Sequence, residues 1–143
     1  MTALRASDLA VGQTFETVVV TDLKRTQIVQ YAGASGDYNP LHTDEIYATK
    51  IAGYPSVFAH GMLTMALAGR FLTEWAGDPG AVTEFGVRFS APVVVPDDDK
   101  GATVEVAGTV TERLEGNRVA VEVTARSDGT KVLTRARAVV RLK

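Results

Sequence analysis

The 143-residue sequence contains no cysteine, which excludes disulfides, thiol nucleophiles and thiolate-bound metal. Stability must come from packing and hydrogen bonding, and the composition suits a reducing cytosol. Only two histidines are present, so few neutral ligands are available to a transition metal, and neither a metal nor another cofactor is expected. Neither charge is in excess: 15 Lys and Arg against 17 Asp and Glu leave −2, which gives no general attraction to nucleic acid or anionic lipid. Long hydrophobic runs are missing too. The longest, around 62–72, is broken by Thr64, Gly69 and Arg70 and is too short to span a bilayer. The first ten residues, with Arg5 and Asp8, lack the apolar centre of a secretory signal. These absences predict a cytoplasmic chain that begins near residue 1, without membrane insertion and without a nucleic-acid partner.

The remaining composition, 45% apolar and 22% charged, is that of one globular domain spanning 1–143. A β-branched and aromatic run predicts a strand over 14–20, and Ile28 and Ala32, four apart, predict a helix over 25–34. Asp22 suits the helix N-cap chemically but comes early, and Lys24 is a poor cap. Gly33, Ser35, Gly36, Asp37, Asn39 and Pro40 form a concentrated turn signal, after which Asp44 is placed to cap a short helical turn. Residues 61–75 contain no proline and are apolar on nearly every face, which predicts a helix surrounded by protein. Strand-like runs follow at 82–94, 102–111, 119–126 and 131–142. The turns Glu115-Gly116-Asn117 and Ser127-Asp128-Gly129 make the last three successive hairpins. One buried helix followed by an antiparallel meander implies an α+β fold with a curved sheet wrapped around that helix.

The chemistry concentrates in Gly36-Asp37-Tyr38-Asn39-Pro40-Leu41-His42, an acid and an imidazole five residues apart on a turn. A rigid loop aims both at one small volume, with Pro40 restricting the backbone and Asn39 offering an amide to a water or carboxylate. Reversible hydration of an enoyl thioester needs one group to move the C2 proton and another to serve the C3 hydroxyl. The local alternative is that Asp37 only closes a turn and His42 is structural. Ala59-His60-Gly61-Met62 then opens the apolar helix, whose free N–H groups carry partial positive charge. The Gly61 N–H is suited to an enolate-like thioester oxygen, the competing role being a cap or close packing, and His60 reads as a structural hydrogen-bonding residue.

These two segments, with Leu63-Thr64-Met65 after them, resemble the motif and central helix of the MaoC-like (R)-specific enoyl hydratase/dehydratase family. Further on, Trp75-Ala76-Gly77-Asp78-Pro79-Gly80-Ala81-Val82-Thr83-Glu84, Val87-Arg88-Phe89 and Val95-Pro96 resemble the dyad-bearing subunits of mycobacterial-type (3R)-hydroxyacyl-ACP dehydratases. The resemblance implies a hot-dog fold, a homodimer or a heterodimer with a related hot-dog subunit, and an acyl-ACP or acyl-CoA thioester substrate. By the same resemblance Asp37 and His42 are the catalytic pair, and Asn39, Gly61 and Thr64 contact substrate. Two departures stand out. Pro96-Asp97-Asp98-Asp99-Lys100-Gly101 replaces the Pro-Gly-Asp of many relatives, which blocks any transfer of substrate preference. Gly69 stands where some relatives place a hydroxyl that steadies the catalytic loop, leaving Thr64 to take that part. The expected function is dehydration of (3R)-hydroxyacyl thioesters, or the reverse hydration, in fatty-acid elongation of the mycolic-acid type on ACP. The alternatives are an enoyl-CoA hydratase of degradation, a noncatalytic acyl-binding hot-dog subunit, and a thioesterase. Arg135, Arg137, Arg141 and Lys143 share one face of the last strand, which reads first as a solvated face and second as a carrier-protein contact.

Overall fold

The computed structural model describes residues 4–143, so the expected start near residue 1 lies outside the described residues. After a 3-10 turn at Ala6–Asp8 come β1 (Thr14–Leu23), α1 (Arg25–Ser35), a 3-10 turn at Pro40–His42 and a π-helical turn at Tyr47–Ile51. Then follow α2 (Gly61–Ala76), β2 (Val82–Phe89), β3 (Ala102–Leu114), β4 (Arg118–Ser127) and β5 (Thr130–Arg141). The five strands form one antiparallel sheet in the order β1-β3-β4-β5-β2. The last three strands are hairpins, as the turn residues require. Asp128 and Gly129 both have positive φ, 49° and 74°, the backbone of a two-residue turn that matches strand twist.

Alternating β3, β4 and β5 residues point inward. Val104, Val106, Val110, Val121, Val123, Ala136 and Ala138 are buried and pack with Ala68, Phe71 and Leu72 of α2. The sheet thus wraps around α2, an α+β hot-dog arrangement. Phe15 of β1 stacks on Phe71 and on Trp75, with centroids 5.2 and 4.0 Å away. That ring crosses the strand opposite: Phe15 pairs with Gly108 in register.

Three details differ from the sequence reading. Lys24, not Asp22, is the N-cap of α1, and the Gln27 side chain does the capping by accepting its N–H at 2.6 Å. The run at 82–94 ends as a sheet strand at Phe89, because residues 93–95 turn away to pair with 57–59. Helix α2 is covered by this chain on one side only. Met62, Ala66, Arg70 and Glu74, four apart, face outward, and Met62 is 57% exposed. Its C-terminus closes at Gly77, with φ 69° and the Asp78 N–H bonded to the Thr73 carbonyl.

A methyl group at residue 108 would collide with the Phe15 ring. We expect Gly108→Ala to cost about 1–3 kcal/mol by overpacking. A urea midpoint equal to that of the parent protein would contradict this packing.

Candidate functional site

Helix α1 stops at Gly36, whose φ of 75° turns the chain out of the helix. The Asp37 Oδ1 accepts the Asn39 N–H at 3.2 Å and the Asn39 Oδ1 accepts the Leu41 N–H at 3.0 Å, so successive side-chain caps feed the turn at Pro40–His42. The turn-closing role of Asp37 is therefore real, but it uses only one carboxylate oxygen. The other, Oδ2, lies 4.0 Å from the His42 Nε2. Asn39, expected at substrate, has its amide oxygen engaged by the backbone.

His42 is buried and its Nδ1 lies 2.7 Å from the Phe58 carbonyl oxygen. A carbonyl only accepts, so Nδ1 carries the proton, and in the neutral ring Nε2 is left with a lone pair facing Asp37. Burial lowers the pKa of this imidazole from 6.5. The Phe58 hydrogen bond and the Asp37 charge oppose that shift, while His60 adds to it. The Phe58 carbonyl is held by the short ladder in which the Ala59 N–H bonds Val93 O and the Val95 N–H bonds Val57 O.

His60, the last residue before α2, joins this group. Its ring stacks on His42 with centroids 3.8 Å apart, and its Nε2 lies 3.0 Å from the Asp37 carbonyl oxygen. The structure thus brings Asp37, His42 and His60 together, with Gly61 following in the chain and Thr64 one turn on. The Gly61 N–H has no acceptor among the described residues, and the Phe89 ring lies over Gly61, 3.1 Å from where a Cβ would be. Thr64 is buried, with its hydroxyl 3.5 Å from the His60 carbonyl. Gly61 and Thr64 line a pocket of about 340 Å³ together with Phe58, Ala59, Phe89 and Val132. Asp37 and His42 are not on its wall; they connect to it through Phe58.

One ligand atom from each of Asp37, His42 and His60 falls within 4.8 Å of the others. A metal would need imidazole lone pairs converging at about 2 Å. The two rings are stacked only 26° from parallel, so their in-plane lone pairs run side by side, and the geometry does not fit a shared ion.

Sequence reasoning missed the brace behind the loop. The Arg25 guanidinium reaches the Glu45 carboxylate at 2.6 Å, the Ser56 hydroxyl at 2.8 Å and the Val95 carbonyl at 3.1 Å. Partial desolvation works against the Glu45 charge, yet hydrogen bonds from Ser56 and Val57 and the Arg25 charge outweigh it and lower its pKa. An Arg and a Glu twenty residues apart carry no local signal.

A family model described as "MaoC like domain" matches residues 7–129. The chain is 44% identical over 70 residues to 3-hydroxyacyl-thioester dehydratase X of Mycobacterium tuberculosis, a match covering 49% of this chain and 24% of that protein. It is 35% identical over 92 residues to an (R)-specific enoyl-CoA hydratase of Rhodospirillum rubrum, covering 64% of this chain and 62% of that one. Among solved structures, a MaoC-like dehydratase superposes with a TM-score of 0.91 at 41% identity over 99% of this chain, which accounts for 43% of its partner in the comparison. This chain therefore spans about a quarter of dehydratase X and less than half of that solved relative. Among the described residues, no helix is long and apolar enough to cross a membrane.

In the folded protein we expect the His42 imidazole to titrate below 6.5, as read by nitrogen chemical shifts. Asp37→Asn should lower the midpoint further, because the lost carboxylate charge favoured protonation. Since the unfolded chain binds that proton more readily, stability from this group falls as pH drops below 6.5. A midpoint at or above 6.5 would contradict control by burial.

Proposed function

Because the chain belongs to the MaoC-like domain family, we propose that it interconverts (3R)-hydroxyacyl and trans-2-enoyl thioesters, with Asp37 and His42 as the acid/base pair. The observation that carries this reading is the 4.0 Å space between Asp37 Oδ2 and His42 Nε2. It is too long for a direct hydrogen bond, and one oxygen seated to the side of the pair, about 2.8 Å from each, can bridge the two groups. In dehydration the His42 Nε2 takes the C2 proton, and the C2–H electron pair becomes the C2=C3 bond as C3–O breaks. The departing hydroxyl takes a proton from the Asp37 carboxyl and leaves as water. In hydration Asp37 takes a proton from water as its oxygen adds to C3, and His42 delivers the proton to C2. The pair therefore holds one proton in either direction, on Asp37 or on His42. A lowered His42 proton affinity supports this exchange by bringing imidazole closer to a carboxyl. The unpaired Gly61 N–H at the start of α2 is assigned to the thioester oxygen, where charge grows as the C2 proton leaves. Thr64 and the apolar pocket beside it are assigned to the acyl chain.

We assign the substrate to an ACP-borne acyl chain in elongation within the cytoplasm. The CoA-linked reaction uses the same centre, and the name of the Rhodospirillum relative favours keeping it as the second reading. The presence of both Asp37 and His42 speaks against a noncatalytic subunit or a thioesterase. A second hot-dog unit, either another copy or a related subunit, completes the assembly in this reading. Two open sheet edges, β1 and β2, and the exposed apolar residues Met62, Phe89 and Tyr54 near the pocket support it.

Asp37→Asn and His42→Ala should each reduce turnover of an enoyl thioester by about 10²- to 10⁴-fold while the protein stays folded. Folded variants with near-normal turnover would remove the dyad. Sedimentation at micromolar concentration should give at least a dimer, whereas a fully active monomer would refute the second unit.

A further inference from the structure

The reaction steps above leave His60 without a task, although it is one of two histidines and the more deeply buried, 2% exposed against 8% for His42. Residues 33–40 are all exposed, and the hydrogen bonds that Asp37 makes through its own N–H and side chain reach no further than two residues along the chain. Among the described residues, the contact from the His60 Nε2 to the Asp37 carbonyl is the only hydrogen bond tying residues 36–41 to a distant part of the fold. A carbonyl only accepts, so His60 is the Nε2–H tautomer, and its Nδ1 is buried with no partner among the described residues. An apolar side chain would fill this space without leaving a nitrogen unpaired, which is costly in an interior. The ring is held between Tyr31 of α1, with centroids 4.8 Å apart, and His42, with centroids 3.8 Å apart. Its carbonyl accepts the first helical N–H groups of α2, from Leu63 and Thr64. One residue thus touches the acid, the base and the start of the helix that follows.

We infer that His60 is the positioning residue of this site: its Nε2–H clamps the Asp37 carbonyl while its ring braces His42, keeping the two groups at a spacing that one oxygen seated beside them can bridge. This rests on the dyad reading given above. Tyr31, Asp37 and His42 are the titratable groups that face it from α1, the loop and the 3-10 turn. Two stacked imidazoles resist carrying charge together, so His60 also opposes a second charge beside His42.

The test compares the parent protein with His60→Phe, which keeps a ring but lacks the donor, and His60→Gln, which keeps an N–H near the Nε2 position. With an enoyl-CoA as probe, we expect kcat to fall by about 10-fold or more for His60→Phe and less for His60→Gln, while KM changes little. The His42 midpoint should rise in the Gln variant. A folded His60→Phe protein with parental kcat would overturn the proposal. So would losses in both variants that merely follow the folded fraction while the His42 midpoint stays fixed. If neither variant folds, nitrogen shifts of the parent protein decide: an Nε2–H tautomer at His60 supports the clamp and an Nδ1–H tautomer overturns it. Parent protein inactive on every enoyl thioester defeats the dyad reading alone. Active parent, inactive Asp37→Asn and normal His60→Phe defeat only the clamp.

Discussion

The hydrogen bond from the His42 Nδ1–H to the Phe58 carbonyl is the contact on which the geometry of the candidate site depends. It fixes the tautomer, so the lone pair of the neutral ring points at Asp37 rather than into the core. It also holds the ring against a segment that the sheet itself supports. Residues 57–59 are laddered to 93–95, which continue directly from β2. The imidazole is thereby anchored on a backbone carbonyl whose ladder follows β2 along the chain, with no other side chain in between. Burial then completes the effect by lowering the ring's affinity for a proton.

The loop that carries Asp37 is stabilised differently. Its internal bonds are short-range caps, which shape the turn but do not place it relative to the core. Placement comes from polar ties to distant segments: His60 to the Asp37 carbonyl, His42 to the Phe58 carbonyl, and Arg25 to Glu45 and Ser56. The Arg25 group is partly solvated, and its strength lies in one guanidinium satisfying three acceptors on three segments rather than in an isolated ion pair. Such a frame holds an exposed carboxylate beside a buried imidazole without burying both. That difference of environment brings the proton affinity of the imidazole closer to that of a carboxyl, as the proposed acid/base exchange requires.

Helix α2 serves packing and chemistry at opposite ends. Its inner face, with Ala68, Phe71 and Leu72, is the centre of the core. Its first turn carries the unpaired Gly61 N–H and the outward Met62, on the side where the apolar pocket opens. The outward row changes from apolar at Met62 and Ala66 to charged at Arg70 and Glu74, which form an ion pair at 3.6 Å. Apolar exposure is thus concentrated at the end of the helix nearest the candidate site.

The sequence by itself determined the elements and the candidate acid/base residues, because their signals are local. The gap of four between Ile28 and Ala32, the Asp128-Gly129 turn and the proline-free, largely apolar stretch after Gly61 each reflect neighbours a few residues apart, where backbone sterics and periodic burial act. Asp37 and His42 were legible for the same reason, lying five apart on one turn. The tertiary structure alone decided what those residues face. The departure of residues 93–95 from the sheet, the choice of the Phe58 carbonyl as the His42 acceptor, the stacking of His60 and the union of Arg25 with Glu45 all join segments far apart in the chain. The outward face of α2 belongs with them: apolar periodicity states that a surface avoids water, and only the path of the folded chain settles which part of it the same chain covers.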